Sequence, residues 1–251
     1  MRLQDLVRAI YPPRCLCCEA PVEQDFALCG PCWRDTPFVA GLVCDTCGQP
    51  LPGQEESGLV QCDDCLRIAR PWARGRAALV YGGNARRMIL QFKHGDRLDL
   101  ARPLGDWLAR AAAPILQPGM VVAPIPLHWL RLLKRRANQS ALLAARVARV
   151  TGLPHVPDLL VRDRATPSQE GRGRDARFAN LAGALRPHPR RIAQARGRHV
   201  LLVDDVMTSG ATLAAAADAL RGAGVADVSV LVLARVPHER WVTPDRPLPT
   251  G

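Results

Sequence analysis

Residues Val200–Thr212 read VLLVDDVMTSGAT, and the fold is legible from that stretch outward. Val200–Val203 is the continuous apolar run of a buried strand, and it ends in two carboxylates, Asp204 and Asp205. Small or hydroxyl-bearing residues follow, Thr208, Ser209, Gly210, Ala211 and Thr212, and an alanine-rich helix begins. In open α/β sheets the ligand lies beyond the carboxyl end of a strand. A turn of small residues bares its backbone N–H groups and the helix N-terminus adds its dipole, so the two together cradle a phosphate. Two acids directly before such a turn repel a phosphate unless they face the hydroxyls of a ribose or a bound Mg²⁺. The residue types therefore point to a sugar phosphate, with its ring over the acids and its phosphate in the turn. The stretch has neither GxGxxG nor Gly-Lys-Ser/Thr, so it is not a dinucleotide fingerprint or a Walker loop.

Around this motif, strand and helix patterns alternate. Apolar runs at Arg76–Tyr81, Met120–Ile125, Gly197–Val203 and Val228–Leu233 read as strands, with a weak one at Asp158–Arg162. Helical periods fall at Ala85–Phe92, Leu100–Ala112, Asn138–Val150 and Thr212–Leu220. In Asn138–Val150, residues Leu142, Leu143, Val147 and Val150 are expected on one face, with Gly152 ending the helix. Arg164–Arg177 is polar and Gly-rich and reads as a loop. Alternation of this kind implies an α/β fold with a mostly parallel sheet covered on both faces.

The front of the chain is different. All nine cysteines lie between Cys15 and Cys65, and eight form four CxxC pairs: Cys15/Cys18, Cys29/Cys32, Cys44/Cys47 and Cys62/Cys65. Two such pairs supply the four thiolates that a tetrahedral Zn²⁺ takes. Gaps of 10 and 14 residues separate the pairs within each half, the spacing of zinc-ribbon hairpins. Disulfides need an oxidising compartment, and Met1–Ile10 lacks the apolar core of a signal peptide. A thioredoxin-like site uses one CxxC, and a catalytic zinc usually takes His, which first occurs at His94. Structural zinc is expected, one or two ions, with sequential and crossed pairings both open. The expected organisation is a helix and (double) zinc ribbon over 1–70, a body over 71–240 and a flexible tail over 241–251.

The charge is divided too. Residues 1–70 hold 6 Lys+Arg and 10 Asp+Glu, whereas the remainder hold 28 and 13, a balance of +15 within a total of +11. A basic body favours polyanions. No acid lies between Trp107 and Pro157, and Lys134, Arg135 and Arg136 are the candidates for a pyrophosphate or other polyanion, with Asn138 and Gln139 as neutral donors. No apolar run approaches the roughly 18 residues of a membrane span, so a cytoplasmic protein without a span is expected.

VLLVDDVMTSGAT resembles the phosphoribosyl pyrophosphate motif of type I phosphoribosyltransferases. The resemblance implies a parallel sheet under a variable hood, phosphoribosyl pyrophosphate bound with Mg²⁺, ribose hydroxyls on Asp204 and Asp205, and the 5′-phosphate on Thr208, Ser209, Gly210, Ala211 and Thr212. Purine-salvage members have Asp where this chain has Thr208, which argues against that reaction. With Pro124–His128, Leu132–Gln139, Thr166–Gly171, Arg177–Asn180 and the cysteine region added, roughly residues 10–236 resemble the ComF family of ComFC-like competence proteins. That resemblance implies a role in DNA uptake during natural transformation. It leaves two expectations side by side: a phosphoribosyltransferase of undefined acceptor, or a competence factor that binds single-stranded DNA and works with competence machinery proteins without turnover.

Overall fold

The computed structural model describes residues 11–54, 58–94, 97–127, 137–163 and 183–237. Two short helices, α1 (Gly30–Asp35) and α2 (Asp63–Arg67), start directly after Cys29 and Cys62. Then come β1 (Arg74–Val80), α3 (Gly83–His94), α4 (Ala101–Ala112), β2 (Val121–Pro124) and α5 (Gln139–Thr151). Gly152 closes α5 at φ 70°, as the sequence suggests, and Asn138 caps its start by accepting from the Ser140 N–H. The chain continues through β3 (Leu160–Arg162), β4 (Leu185–Pro187), β5 (His199–Met207), α6 (Ala211–Gly222) and β6 (Asp227–Arg235).

Strands β1-β6-β5-β2 form one sheet, parallel at every described pairing, and β3 and β4 form a separate antiparallel pair. The α/β architecture is therefore the expected one. Alternate residues of the strands serve opposite cores, because side chains in a strand alternate faces. On one side Val200, Leu202, Val228 and Val230 pack with Leu213, Ala217 and Leu220 of α6. On the other, Leu201, Val203, Leu231 and Leu233 pack with α3, α4 and α5 through Ile89, Leu104 and Leu143.

The cysteine region wraps the β1 edge of this sheet. Phe38 bridges antiparallel to Leu79, the Val39 N–H donates to the Ala78 carbonyl and the Val80 N–H to the Pro37 carbonyl. An edge strand that would otherwise present unpaired backbone groups is thus covered. Cys15 and Cys32 belong to one core and Cys44, Cys47, Cys62 and Cys65 to the other.

Three local readings change. β5 does not stop at the two acids. It runs to Met207, with Val206 and Met207 in register with Ala234 and Arg235, because β6 stays buried to its end and keeps offering ladder partners. On α5, Val150 is 50% exposed, and the buried face is Gln139, Ser140, Leu143, Ala144, Val147 and Ala148. α4 packs closely against α5, where Arg146 meets Gly105 and pairs with Asp106. The strand β4 was not anticipated, and it pairs with the weak Asp158–Arg162 segment. The Arg164–Arg177 loop and the 241–251 tail lie outside the described residues.

Candidate sugar-phosphate site and metal centres

The site forms where β5 leaves the sheet. Asp204 accepts a 2.8 Å hydrogen bond from the Ser140 hydroxyl, at the start of α5, and another of 2.9 Å from the Asp205 N–H. Asp205 pairs with Lys93 Nζ of α3 at 3.0 Å, both side chains being mostly buried. Burial, and then the negative charge of Asp205, push the Asp204 carboxyl up to about 7; the Ser140 bond and Lys93 only partly offset them. A carboxylate held this way gains from hydroxyl donors.

After Met207 the chain turns through Thr208 and Ser209 to Gly210, which caps α6 at φ 81°, ψ 7°. A left-handed residue followed by helical Ala211 makes the N–H groups of Gly210, Ala211 and Thr212 converge, a concavity suited to an anion. The Ala211 N–H donates to the Ser209 hydroxyl at 3.4 Å. Asp204, Asp205, Thr208, Ser209, Gly210, Ala211 and Thr212 are thus brought to one end of the sheet.

Other candidates fall differently. Lys134, Arg135 and Arg136 lie outside the described residues. Asn138 donates to the Ile125 carbonyl at 3.1 Å while capping α5. Gln139 is not a free donor as expected: it is buried and its amide donates to the Phe92 carbonyl at 3.3 Å.

Sequence reading missed Lys93, Ser140, Arg70 and Arg235. Lys93 had a usable signal, being one of only two lysines in an arginine-rich chain. Arg70 donates to the Ser209 carbonyl at 2.8 Å, and Arg235, fully buried, donates to the Thr208 carbonyl at 2.6 Å. Neither showed any periodic or motif signal.

The cysteines resolve into two groups, Cys15, Cys18, Cys29 and Cys32, and Cys44, Cys47, Cys62 and Cys65, the sulfurs of each lying within 4.8 Å of one another. The pairing is sequential and two sites exist. Four sulfurs at about 2.3 Å from a tetrahedral zinc are about 3.8 Å apart. Cys18 and Cys29 sulfurs are 3.6 Å apart and Cys47 and Cys62 sulfurs 3.7 Å, so both sets fit zinc. Burial opposes ionisation of Cys15, yet the amides of Cys18, Cys29 and Cys17 outweigh it and bring it down to about 6. The Cys44 thiol is also lowered, by hydrogen bonds from Cys47, Cys62 and Cys65. Cys17 stands outside both sets, with burial raising its thiol.

A double zinc ribbon joined to a phosphoribosyltransferase-type domain is the class these features define. The comparisons agree: the family described as "Double zinc ribbon domain" matches residues 6–66, and that described as "Phosphoribosyl transferase domain" matches 137–245. The chain is 30% identical over 231 residues to the DNA utilization protein YhgH of Escherichia coli K12, covering 89% of this chain and 97% of that protein. It is 27% identical to Competence protein F of Haemophilus influenzae, over 88% of this chain and 96% of the relative. It is 24% identical to Competence protein ComFC of Bacillus subtilis, over 88% and 94%. The chain belongs to the ComF family of competence proteins. Among the described residues, no helix is long and apolar enough to cross a membrane.

Proposed function

We propose that this protein binds phosphoribosyl pyrophosphate with Mg²⁺ at the end of β5 and acts in the handling of DNA during uptake. The observation that carries the reading is the carboxylate pair Asp204–Asp205 set directly before the Gly210 cradle. Asp204 and Asp205 accept from the ribose hydroxyls, and the amides of Thr208, Ser209, Gly210, Ala211 and Thr212 hold the 5′-phosphate. Lys134, Arg135 and Arg136 take the pyrophosphate, whose charge Mg²⁺ would neutralise when bound. Lys93, beside Asp205, adds a positive charge at the ribose end.

The reaction consistent with this set is displacement of pyrophosphate by a nucleophilic acceptor. Calorimetric titration with phosphoribosyl pyrophosphate and Mg²⁺, and with ribose 5-phosphate, tests the binding step. A Gly210→Val chain should bind neither, because a Cβ there meets Trp72 at 3.1 Å and Arg70 at 3.2 Å in a left-handed conformation. Wild-type protein that binds neither ligand removes the proposal. Pyrophosphate release in the presence of candidate acceptors then separates turnover from binding alone.

The second reading, binding of single-stranded DNA without turnover, is favoured by the +15 balance of residues 71–251 and by relatives named for DNA utilization and competence. Salt-sensitive, sequence-tolerant binding of oligonucleotides tests it.

A further inference from the structure

We infer that Arg70, together with the buried Arg235, aims the amides of the phosphate cradle. Arg70 then carries the influence of the second cysteine cluster into that cradle. The inference rests on the sugar-phosphate reading of the site and adds two positioning residues to it.

In a trans peptide the C=O and the next N–H point in opposite directions. Whatever holds a carbonyl on one side of a turn therefore aims the following amide to the other. Three successive carbonyls in the turn are held from behind. The Met207 carbonyl accepts from the Val236 N–H at 2.9 Å and from Arg235 Nη1 at 3.1 Å. The Thr208 carbonyl accepts from Arg235 Nη1 at 2.6 Å, and the Ser209 carbonyl from Arg70 Nη1 at 2.8 Å. The amides so aimed belong to Thr208, Ser209 and Gly210. The left-handed Gly210 brings Ala211 and Thr212 into the same concavity. Two guanidinium groups thus orient the first three amides of the run and set positive charge behind it.

Arg70 is itself placed by the cysteine region. Its guanidinium lies over the Trp72 ring, 5.5 Å from the centroid. The Trp72 indole N–H donates to the Thr46 carbonyl at 2.6 Å, inside the Cys44–Cys47 knuckle. Asp45 of the same knuckle pairs with Arg74 and Arg76 of β1, each at 2.6 Å. Trp72, which holds the Arg70 guanidinium, is therefore tied to the second cluster through Thr46, and β1, which starts two residues further on, is tied to it through Asp45. A planar guanidinium suits this place: it stacks on the indole and still directs an N–H at the carbonyl.

The test uses the full, zinc-loaded chain and two substitutions at part-buried Arg70. Arg70→Met keeps the stem over Trp72 and removes the donor, whereas Arg70→Lys restores one donor. Titration with ribose 5-phosphate should show about a tenfold loss for Arg70→Met, about 1.4 kcal/mol. Arg70→Lys should recover most of that loss, with the melting temperatures of the two variants alike. Wild-type affinity in Arg70→Met, or equal losses in both variants, overturns the inference. Crystal structures of ligand-free wild type and Arg70→Met give a readout that needs no ligand. A reoriented 209–210 peptide supports the inference even if ribose 5-phosphate binds neither chain, and an unmoved one overturns it.

Discussion

Asp204→Asn should make the protein more stable above neutral pH while weakening the proposed sugar-phosphate binding. The carboxyl is moved from 3.8 to about 7 by burial and by Asp205. Each tenfold costs about 1.4 kcal/mol, so keeping Asp204 ionised in the folded chain costs about 4 kcal/mol, shared with its coupled neighbour. Because the folded value lies above the unfolded one, the wild type loses stability as pH rises from about 4 to about 7 and changes little beyond. Asn keeps an acceptor for the Ser140 hydroxyl and the Asp205 N–H, and what those bonds give the carboxylate is already contained in its shift. The gain at pH 8 is therefore up to about 4 kcal/mol, or up to about 8–16 °C in melting temperature for a chain of this size. By pH 5 the wild-type carboxyl is protonated in the fold and the advantage should shrink by about 3 kcal/mol, at about 1.4 kcal/mol for each unit below about 7. Thermal melts of both chains at pH 5, 6, 7 and 8, with zinc retained, measure this. A variant less stable than wild type at pH 8, or a difference that does not change with pH, refutes the electrostatic account. In parallel, affinity for ribose 5-phosphate should fall at least tenfold, since a hydrogen bond to a charged group contributes about 1.5–3 kcal/mol.

Elemental analysis of the reduced protein should give two zinc ions per chain, and strong chelation should unfold the 15–65 region; a single ion would remove one of the two cysteine sites. Gly75→Ala should destabilise by about 1–3 kcal/mol, because its Cβ would sit 2.4 Å from the Thr46 carbonyl and 2.9 Å from Val230. Gly30→Ala, with nothing within 4 Å, is the control, and equal denaturation midpoints for the two would count against the docking of the second cluster on β1. Changing Lys134, Arg135 and Arg136 together to Gln should weaken single-stranded DNA binding and flatten the salt slope by about 2, at about 0.7 per phosphate contact. An unchanged slope would place the polyanion contacts elsewhere.

VLLVDDVMTSGAT was sufficient for the strand, the turn and the helix, because apolar run, paired acids and small residues are each local signals. Four CxxC pairs were sufficient for the zinc chemistry, since ligand identity and count are written in the spacing. Alternating periods announced the α/β class, because a residue's burial is set by the face its own element presents. What tertiary structure decided depends on partners far along the chain. The cysteine pairs close sequentially only because each half folds its own pocket, on opposite sides of one sheet. β5 extends past its acids because β6 is there to pair with it, and Val150 is exposed because α4 sets which face of α5 is buried. Ser140 reaches Asp204 across 64 positions, and Arg70 reaches Ser209 across 139. A lone polar residue has no period of its own, so its role is fixed only when the fold brings its partner within hydrogen-bonding distance.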